Sequence, residues 1–145
     1  MKELVLALVV IISCPSLLYA ERMEKIAAPE LSMIQGRWEG KWQATNISGH
    51  RAGVAGSGSA TLTIQEEKAV STYSNRPYGS NLTRTITISG SEIIFKEERG
   101  KNIDSFELYQ KPDGTKVLKG SFKATLLTGE SKSGDVYLEQ VPEKP

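Results

Sequence analysis

The sequence is poor in the residues that most catalytic and metal sites require. It contains one cysteine, Cys14, and one histidine, His50. A nucleophilic triad would depend on that histidine, which lies in a Gly- and Ser-rich stretch, 46–58, without any carboxylate. No spacing of His, Cys, Asp and Glu resembles a metal site. We therefore predict that the protein is not an enzyme and has no catalytic residues, metal or cofactor.

An excess of charge of one sign is also missing. The chain has 18 Lys and Arg residues against 17 Asp and Glu residues, a net charge of +1. Because so balanced a chain produces no strong field to attract a polyanion, we expect no nucleic-acid binding.

Long hydrophobic runs are confined to the N-terminus. The run 4–12 is entirely apolar, follows Lys2 and precedes 18–20, Leu-Tyr-Ala, which resembles a signal-peptidase cleavage site. The run is shorter than the roughly 20 apolar residues that a membrane-spanning helix needs. We predict a signal peptide over 1–20 and export of the mature protein to the periplasm or the extracellular space.

Cys14 leaves an alternative to simple cleavage. The residues 11–14, Ile-Ile-Ser-Cys, resemble the lipobox of bacterial lipoproteins, and lipidation there would anchor the protein to a membrane. If cleavage follows Ala20 instead, the mature chain has no cysteine and therefore no disulfide. Residues 21–33 mix charges with Ala and Pro, and we expect a tail or short helical turn before a domain spanning 34–142.

After residue 34, short β-type runs alternate with Gly, Ser, Asn, Asp and Pro, which is typical of an all-β sandwich or barrel. The pairs Ser89-Gly90 and Asp113-Gly114 favour tight hairpin turns. No later run has a helical period, which excludes a parallel sheet with crossover helices. The predicted strands are 36–43, 59–66, 68–75, 83–89, 91–97, 103–110, 116–124 and 134–141.

Alternation within these runs assigns one face of each strand to the interior. In 36–43, GRWEGKWQ, the even positions carry Gly or Trp and the odd positions carry charged or polar residues. Similar alternation in the other runs gives eight strands a single apolar face. A sheet closed on itself buries that face and leaves no exposed edge. We predict an all-β, eight-stranded antiparallel up-and-down barrel.

The Gly36-Arg37-Trp38 motif on the first strand, behind a leader, resembles the lipocalins and the wider calycin group. With the later Leu-x-Gly at 118–120 and Gly-x-Val-x-Leu at 134–138, the chain looks like small lipocalin-like barrels exported by bacteria. The resemblance implies a barrel wide enough for one small ligand. It also implies that Trp38 closes the base under a cation. No arginine follows Arg99, so Lys119 or Lys123 would cover the ring.

These features predict non-catalytic binding of a small, largely apolar ligand inside the barrel. Trp42 lies about 13 Å above Trp38 by strand rise, so it would fill the core or line a pocket. Arg84 lies two residues before Ile86, so both side chains fall on the same face of the strand. Arg84 would either point inward to pair with a ligand carboxylate, as in fatty-acid carriers, or turn outward at the strand start. The candidate ligand-binding residues are Trp38, Trp42, Tyr73, Arg84, Phe95, Phe106 and Phe122.

The alternative function is a periplasmic protein-binding module, an inhibitor or envelope accessory factor, that contacts a protein partner through its loops and has a solid core. A carrier needs an internal volume of roughly 300 Å³ or more, whereas a solid core is packed at native density.

Overall fold

The computed structural model describes residues 22–48, 56–74, 82–97, 102–125 and 131–143. The predicted leader 1–20, Cys14 and His50 lie outside these ranges. In the part of the chain that is described, no helix has the length and apolar character needed to cross a membrane.

Strands make up nearly all of the described chain. The single helix is a short 3-10 turn, Leu31–Met33, within the described residues. The strands are β1 (Glu24–Lys25), β2 (Gly36–Ser48), β3 (Ser57–Gln65), β4 (Lys68–Tyr73), β5 (Leu82–Ser89), β6 (Glu92–Lys96), β7 (Ile103–Gln110), β8 (Lys116–Thr125) and β9 (Ser131–Gln140).

The strands β2 to β9 form a closed antiparallel barrel. Each pairs with the next in sequence, and β9 pairs back with β2, with Gly40 opposite Leu138. This arrangement confirms the predicted eight-stranded up-and-down barrel. The additional short strand β1 was not predicted, because two exposed residues are too few to show an alternation of polar and apolar side chains. It pairs with the end of β7, where Lys25 lies opposite Tyr109, beyond the last residue that β6 covers.

The two ends of the barrel differ. At the end that we call the base, tight turns join β3 to β4, β5 to β6 and β7 to β8, and each contains a residue with positive φ: Glu66, Gly90 and Gly114. The opposite end, which we call the rim, carries the other four connections between barrel strands. Those connections include 49–55, 75–81, 98–101 and 126–130, which lie outside the described residues.

The segment before β2 closes the base. Gln35 donates from Nε2 to the carbonyl oxygens of Leu31 (2.9 Å) and Glu66 (3.1 Å), and Oε1 of Gln35 accepts from the Glu66 amide at 2.7 Å. From β8, the Lys116 ammonium donates to the Met33 carbonyl at 3.3 Å. These bonds hold the 3-10 turn across the ends of two hairpins.

The strand positions agree with the sequence patterns, but two strands extend three or more residues past a predicted end. β2 continues past residue 43 to Ser48, and β9 begins at Ser131 instead of 134. The extra residues pair with each other, Ser48 opposite Ser131, with an irregularity between Ala44 and Asn46. Residues 131–133 are polar, so the predicted strand began only at 134. Backbone pairing needs no apolar side chain, and that predicted start is wrong.

The predicted inward faces form one hydrophobic core. Glycine allows the strands to approach closely at three inward positions, Gly40, Gly120 and Gly134. A Cβ at Gly120 would overlap the carbonyl oxygen of Ser105, and the other two positions meet the neighbouring backbone in the same way. Sharp coiling of the strands depends on these glycines.

Candidate functional site

All seven candidate ligand-binding residues point into the barrel and are buried, none more than 5% exposed. Their predicted positions in the barrel interior are therefore correct. The alternative that Arg84 turns outward is wrong. They lie at different heights between the base and the rim, and the side chains around them differ.

Trp38 lies at the base. Its indole N–H donates to the carbonyl of Ile34 at 2.9 Å, and both side chains are fully buried. Lys119 and Lys123 are exposed on the outer face, so the prediction that one of them covers the ring is wrong. The segment preceding β2 closes the base instead. With its N–H engaged by the main chain, Trp38 is an anchor for that closure.

Trp42 lies closer to the rim. Its ring meets Phe122 edge to face, with centroids 5.8 Å apart, and its N–H donates to the Ser74 carbonyl at 2.9 Å. The Lys132 ammonium lies 5.3 Å from the Trp42 ring centroid. A Cβ at Gly58 would come within 2.7 Å of the indole nitrogen, so this glycine makes room for the ring. Trp42 is therefore packed in the interior near the end opposite Trp38.

The other two aromatic candidates on β6 and β7 contact each other. The Phe95 and Phe106 rings are tilted by 50° with centroids 5.1 Å apart. Asp104 lies nearer the rim than Phe106 and is directly opposite Phe95 on β6 and Phe122 on β8. A carboxylate thus occupies an otherwise aromatic part of the interior.

Asp104 joins Tyr73 and Arg84 in what we call the buried polar cluster. The Tyr73 hydroxyl donates to Asp104 Oδ2 at 2.7 Å, and Arg84 Nη1 forms an ion pair with the same oxygen. The Arg84 guanidinium carbon lies 5.8 Å from the Tyr73 ring centroid. The three side chains come from β7, β4 and β5, so the cluster crosses the inside of the barrel.

Asp104 was not among the predicted site residues, although a signal was present. It lies two residues before Phe106 on the same strand, and Phe106 was predicted to line the interior. A carboxylate on the apolar face of a strand indicates a buried partner, because an isolated charge is very costly to bury. The partner could not be identified from β7 alone.

The electrostatics of the cluster keep Arg84 charged. Burial acts to lower the pKa of Arg84, but attraction to Asp104, with smaller contributions from Tyr73 and Glu97, raises that pKa above the usual arginine value. The Asp104 carboxylate therefore already serves as the counter-ion of the guanidinium.

Three polar atoms beside this ion pair have no hydrogen-bond partner among the described residues: Nε and Nη2 of Arg84 and Oγ of Ser71. Ser71 is fully buried and Arg84 is 1% exposed. Buried polar groups in proteins are nearly always paired, because an unpaired one loses its hydration without compensation. These atoms identify a position where a hydrogen-bonding group is favoured.

A concave surface lies on the outside of the barrel, across β3, β2, β9, β8 and β7. This outer groove has a volume of about 890 Å³. Its lining combines charges of both signs, serines and tyrosines, among them Lys41, Lys119, Asp135 and Tyr137. No group of three or more His, Cys, Asp and Glu residues within the described ranges could hold a metal ion.

Comparisons with protein-family models, with curated proteins and with solved structures find no match to this chain.

Proposed function

We propose that the protein is an exported, lipocalin-like binding protein that holds a small, largely apolar ligand inside its barrel. The observation that carries this proposal is the buried guanidinium of Arg84, with Nε and Nη2 unpaired among the described residues, inside an aromatic-lined barrel. Ligand sites in small barrels combine apolar walls with a few polar groups that orient the ligand.

The cost of the ion pair supports a functional role. Desolvation of Arg84 and Asp104 offsets much of their attraction, so apolar residues of similar size would stabilise the core equally well or better. Stability alone therefore gives no reason to have these charges inside the barrel. Orientation of a bound molecule does.

Each candidate residue has a distinct role in this proposal. Trp42 and Phe122 contact the apolar part of the ligand near the rim, and Arg84 contacts its polar end. Trp38 remains the anchor at the base. The residues that line the remaining interior are Tyr73, Phe95 and Phe106.

Binding is tested on protein purified from its own compartment. Native mass spectrometry should detect a retained small molecule, and titration with fatty esters, isoprenoids or porphyrins should change tryptophan fluorescence. Trp38→Phe isolates the emission of Trp42, and Trp42→Phe isolates that of Trp38. We expect the larger change from Trp42. The absence of both a retained ligand and any fluorescence change would refute the carrier function.

A protein-binding module is the second candidate, and the outer groove favours it. Tyr109 and Tyr137 line this concave surface, and tyrosine is enriched where proteins contact one another. Lys41 and Lys119 are both exposed there, so the double charge reversal Lys41→Glu/Lys119→Glu should abolish partner capture without altering ligand titrations. Unchanged capture would exclude the groove as the contact surface.

A further inference from the structure

The unpaired donors lie together on one wall of the barrel. In the β4–β5 ladder, Ser71 is opposite Leu82 and Ala69 is opposite Arg84. Ser71 and Arg84 are therefore diagonal neighbours on the inner face, about 7–8 Å apart at most between Cβ atoms, within reach of an arginine side chain. On a guanidinium, the Nε and Nη2 hydrogens point the same way and form a fork. One acceptor oxygen can receive both hydrogens.

The charge around this fork is already balanced. Asp104 neutralises Arg84 through its ion pair, and the half-buried Glu97 adds a second negative charge to the field at the guanidinium. An incoming carboxylate would thus be a third anion beside Asp104 and Glu97, with no unmatched cation among the described residues to compensate its desolvation. A neutral carbonyl oxygen would satisfy the same donors without that repulsion.

We propose that the buried polar cluster binds the neutral, hydrogen-bond-accepting end of a ligand, such as an ester, amide or ketone carbonyl, in preference to a carboxylate. The Arg84 fork donates to the carbonyl oxygen, and the apolar remainder of the ligand extends among the aromatic side chains. This inference rests on the proposed carrier function and specifies its ligand class.

The first experiment compares probes that share one alkyl chain. Methyl dodecanoate, dodecanamide, dodecanoate and dodecane are titrated into the wild-type protein at about pH 8, where the carboxylate is ionised. We expect the ester and the amide to bind at least roughly tenfold more tightly than dodecanoate and dodecane, the difference that one good hydrogen bond supplies.

The outcomes separate this inference from the function on which it rests. Tighter or equal binding of dodecanoate overturns the neutral-end inference while the carrier function stands. Equal binding of dodecane and methyl dodecanoate does the same, because only the alkyl chain is then recognised. If none of the probes, retained molecules or other apolar compounds binds, the carrier function itself is wrong and the inference fails with it.

The second experiment changes the charge of the cluster. Asp104→Asn removes the counter-ion but keeps the shape of the side chain and an oxygen for the Tyr73 hydroxyl. Dodecanoate should then bind roughly tenfold more tightly than to the wild type, because Arg84 gains an unmatched charge. Unimproved dodecanoate binding by the folded variant would overturn the inference.

Tyr73→Phe is the matched control. It removes a hydrogen bond to the same Asp104 oxygen but leaves both charges, so the preference for the methyl ester should remain. A switch to dodecanoate in this variant would show that packing, and not charge, sets the preference, contrary to the inference. Circular dichroism verifies folding of each variant, and the wild-type probe series decides the question if Asp104→Asn does not fold.

Discussion

Arg84 and Asp104 face each other with side chains 0% and 1% exposed. Their attraction has to offset the desolvation of two ions, and each ion depends on the other for that compensation. Removing one partner should therefore harm the fold more than replacing both.

We predict that Asp104→Ala lowers the free energy of unfolding by about 3–5 kcal/mol, because it leaves the guanidinium buried without a counter-ion. The double variant Arg84→Met/Asp104→Leu should be about as stable as the wild type, since neither charge remains. Urea denaturation of the two variants and the wild type measures the difference. A double variant clearly less stable than the wild type would show that the ion pair is a net source of stability.

A second residue-scale prediction concerns the outer surface near the base. Lys111 hydrogen-bonds to Glu139 and, with the Tyr137 hydroxyl at 3.1 Å, lowers the pKa of the Glu139 carboxyl. A depressed carboxyl pKa stabilises the fold above the pKa of the unfolded chain, and this stabilisation is lost as the pH falls through the folded value.

Glu139→Gln should therefore be less stable than the wild type near neutral pH, by under about 1 kcal/mol because the pair is solvent-exposed. The difference should shrink as the pH falls below the usual glutamate range. Urea midpoints measured from neutral to acidic pH provide the test. A constant difference over that range would contradict a role for the carboxylate charge.

At the scale of strands, glycine determines how closely β7 and β8 approach. A Cβ at Gly120 would overlap the Ser105 carbonyl, and backbone cannot move aside as a flexible side chain can. Gly120→Ala should therefore destabilise the protein by about 1–3 kcal/mol or more. Gly56→Ala is the control, because no atom lies within 4 Å of its added Cβ. Equal melting temperatures for Gly120→Ala and Gly56→Ala would contradict the close-approach explanation.

The N-terminal segment provides another strand-scale prediction. β1 contributes two exposed residues, whereas the following turn and Ile34 cover the base and accept the Trp38 N–H. A chain starting at Ala28 should keep most of its stability. A chain starting at Gln35 should lose about 2–5 kcal/mol, as for deletion of a large core side chain. Similar melting temperatures for the two truncations would show that the base does not depend on Ile34.

For the whole molecule, closure of the sheet distributes stability unevenly around the barrel. The β2–β9 ladder runs from Trp38 opposite Gln140 to Ser48 opposite Ser131, and β8–β9 pairing is nearly as long. Among the described residues, the β4–β5 ladder runs from Lys68 to Ser71. Amides in long ladders should open only with global unfolding.

We therefore predict the slowest amide hydrogen exchange in β2, β8 and β9 and faster exchange in β4 and β5. Two-dimensional NMR after transfer to D₂O resolves these amides individually. Equal protection of β4 and β9 would indicate that the barrel opens only as one cooperative unit.

Alternation along the chain was sufficient to predict the barrel and its inward faces. Trp38 and Phe106 were assigned to the interior because side-chain direction in a strand repeats every two residues, which is a local property. Polar positions lack such a signal. The extension of β9 to Ser131 and the short β1 were missed because their residues are polar and show no apolar alternation.

The sequence by itself therefore determined which residues of each strand face inward and which face outward. The eight-stranded barrel follows from this, because local periodicity and the need to bury one apolar face are sufficient to predict it. Only the tertiary structure decided which interior residues meet. Tyr73, Arg84 and Asp104 lie on three different strands, and closure of the barrel brings them into contact. The physical reason is that charge neutralisation is a pairwise property across space, whereas the sequence pattern records each residue's burial separately.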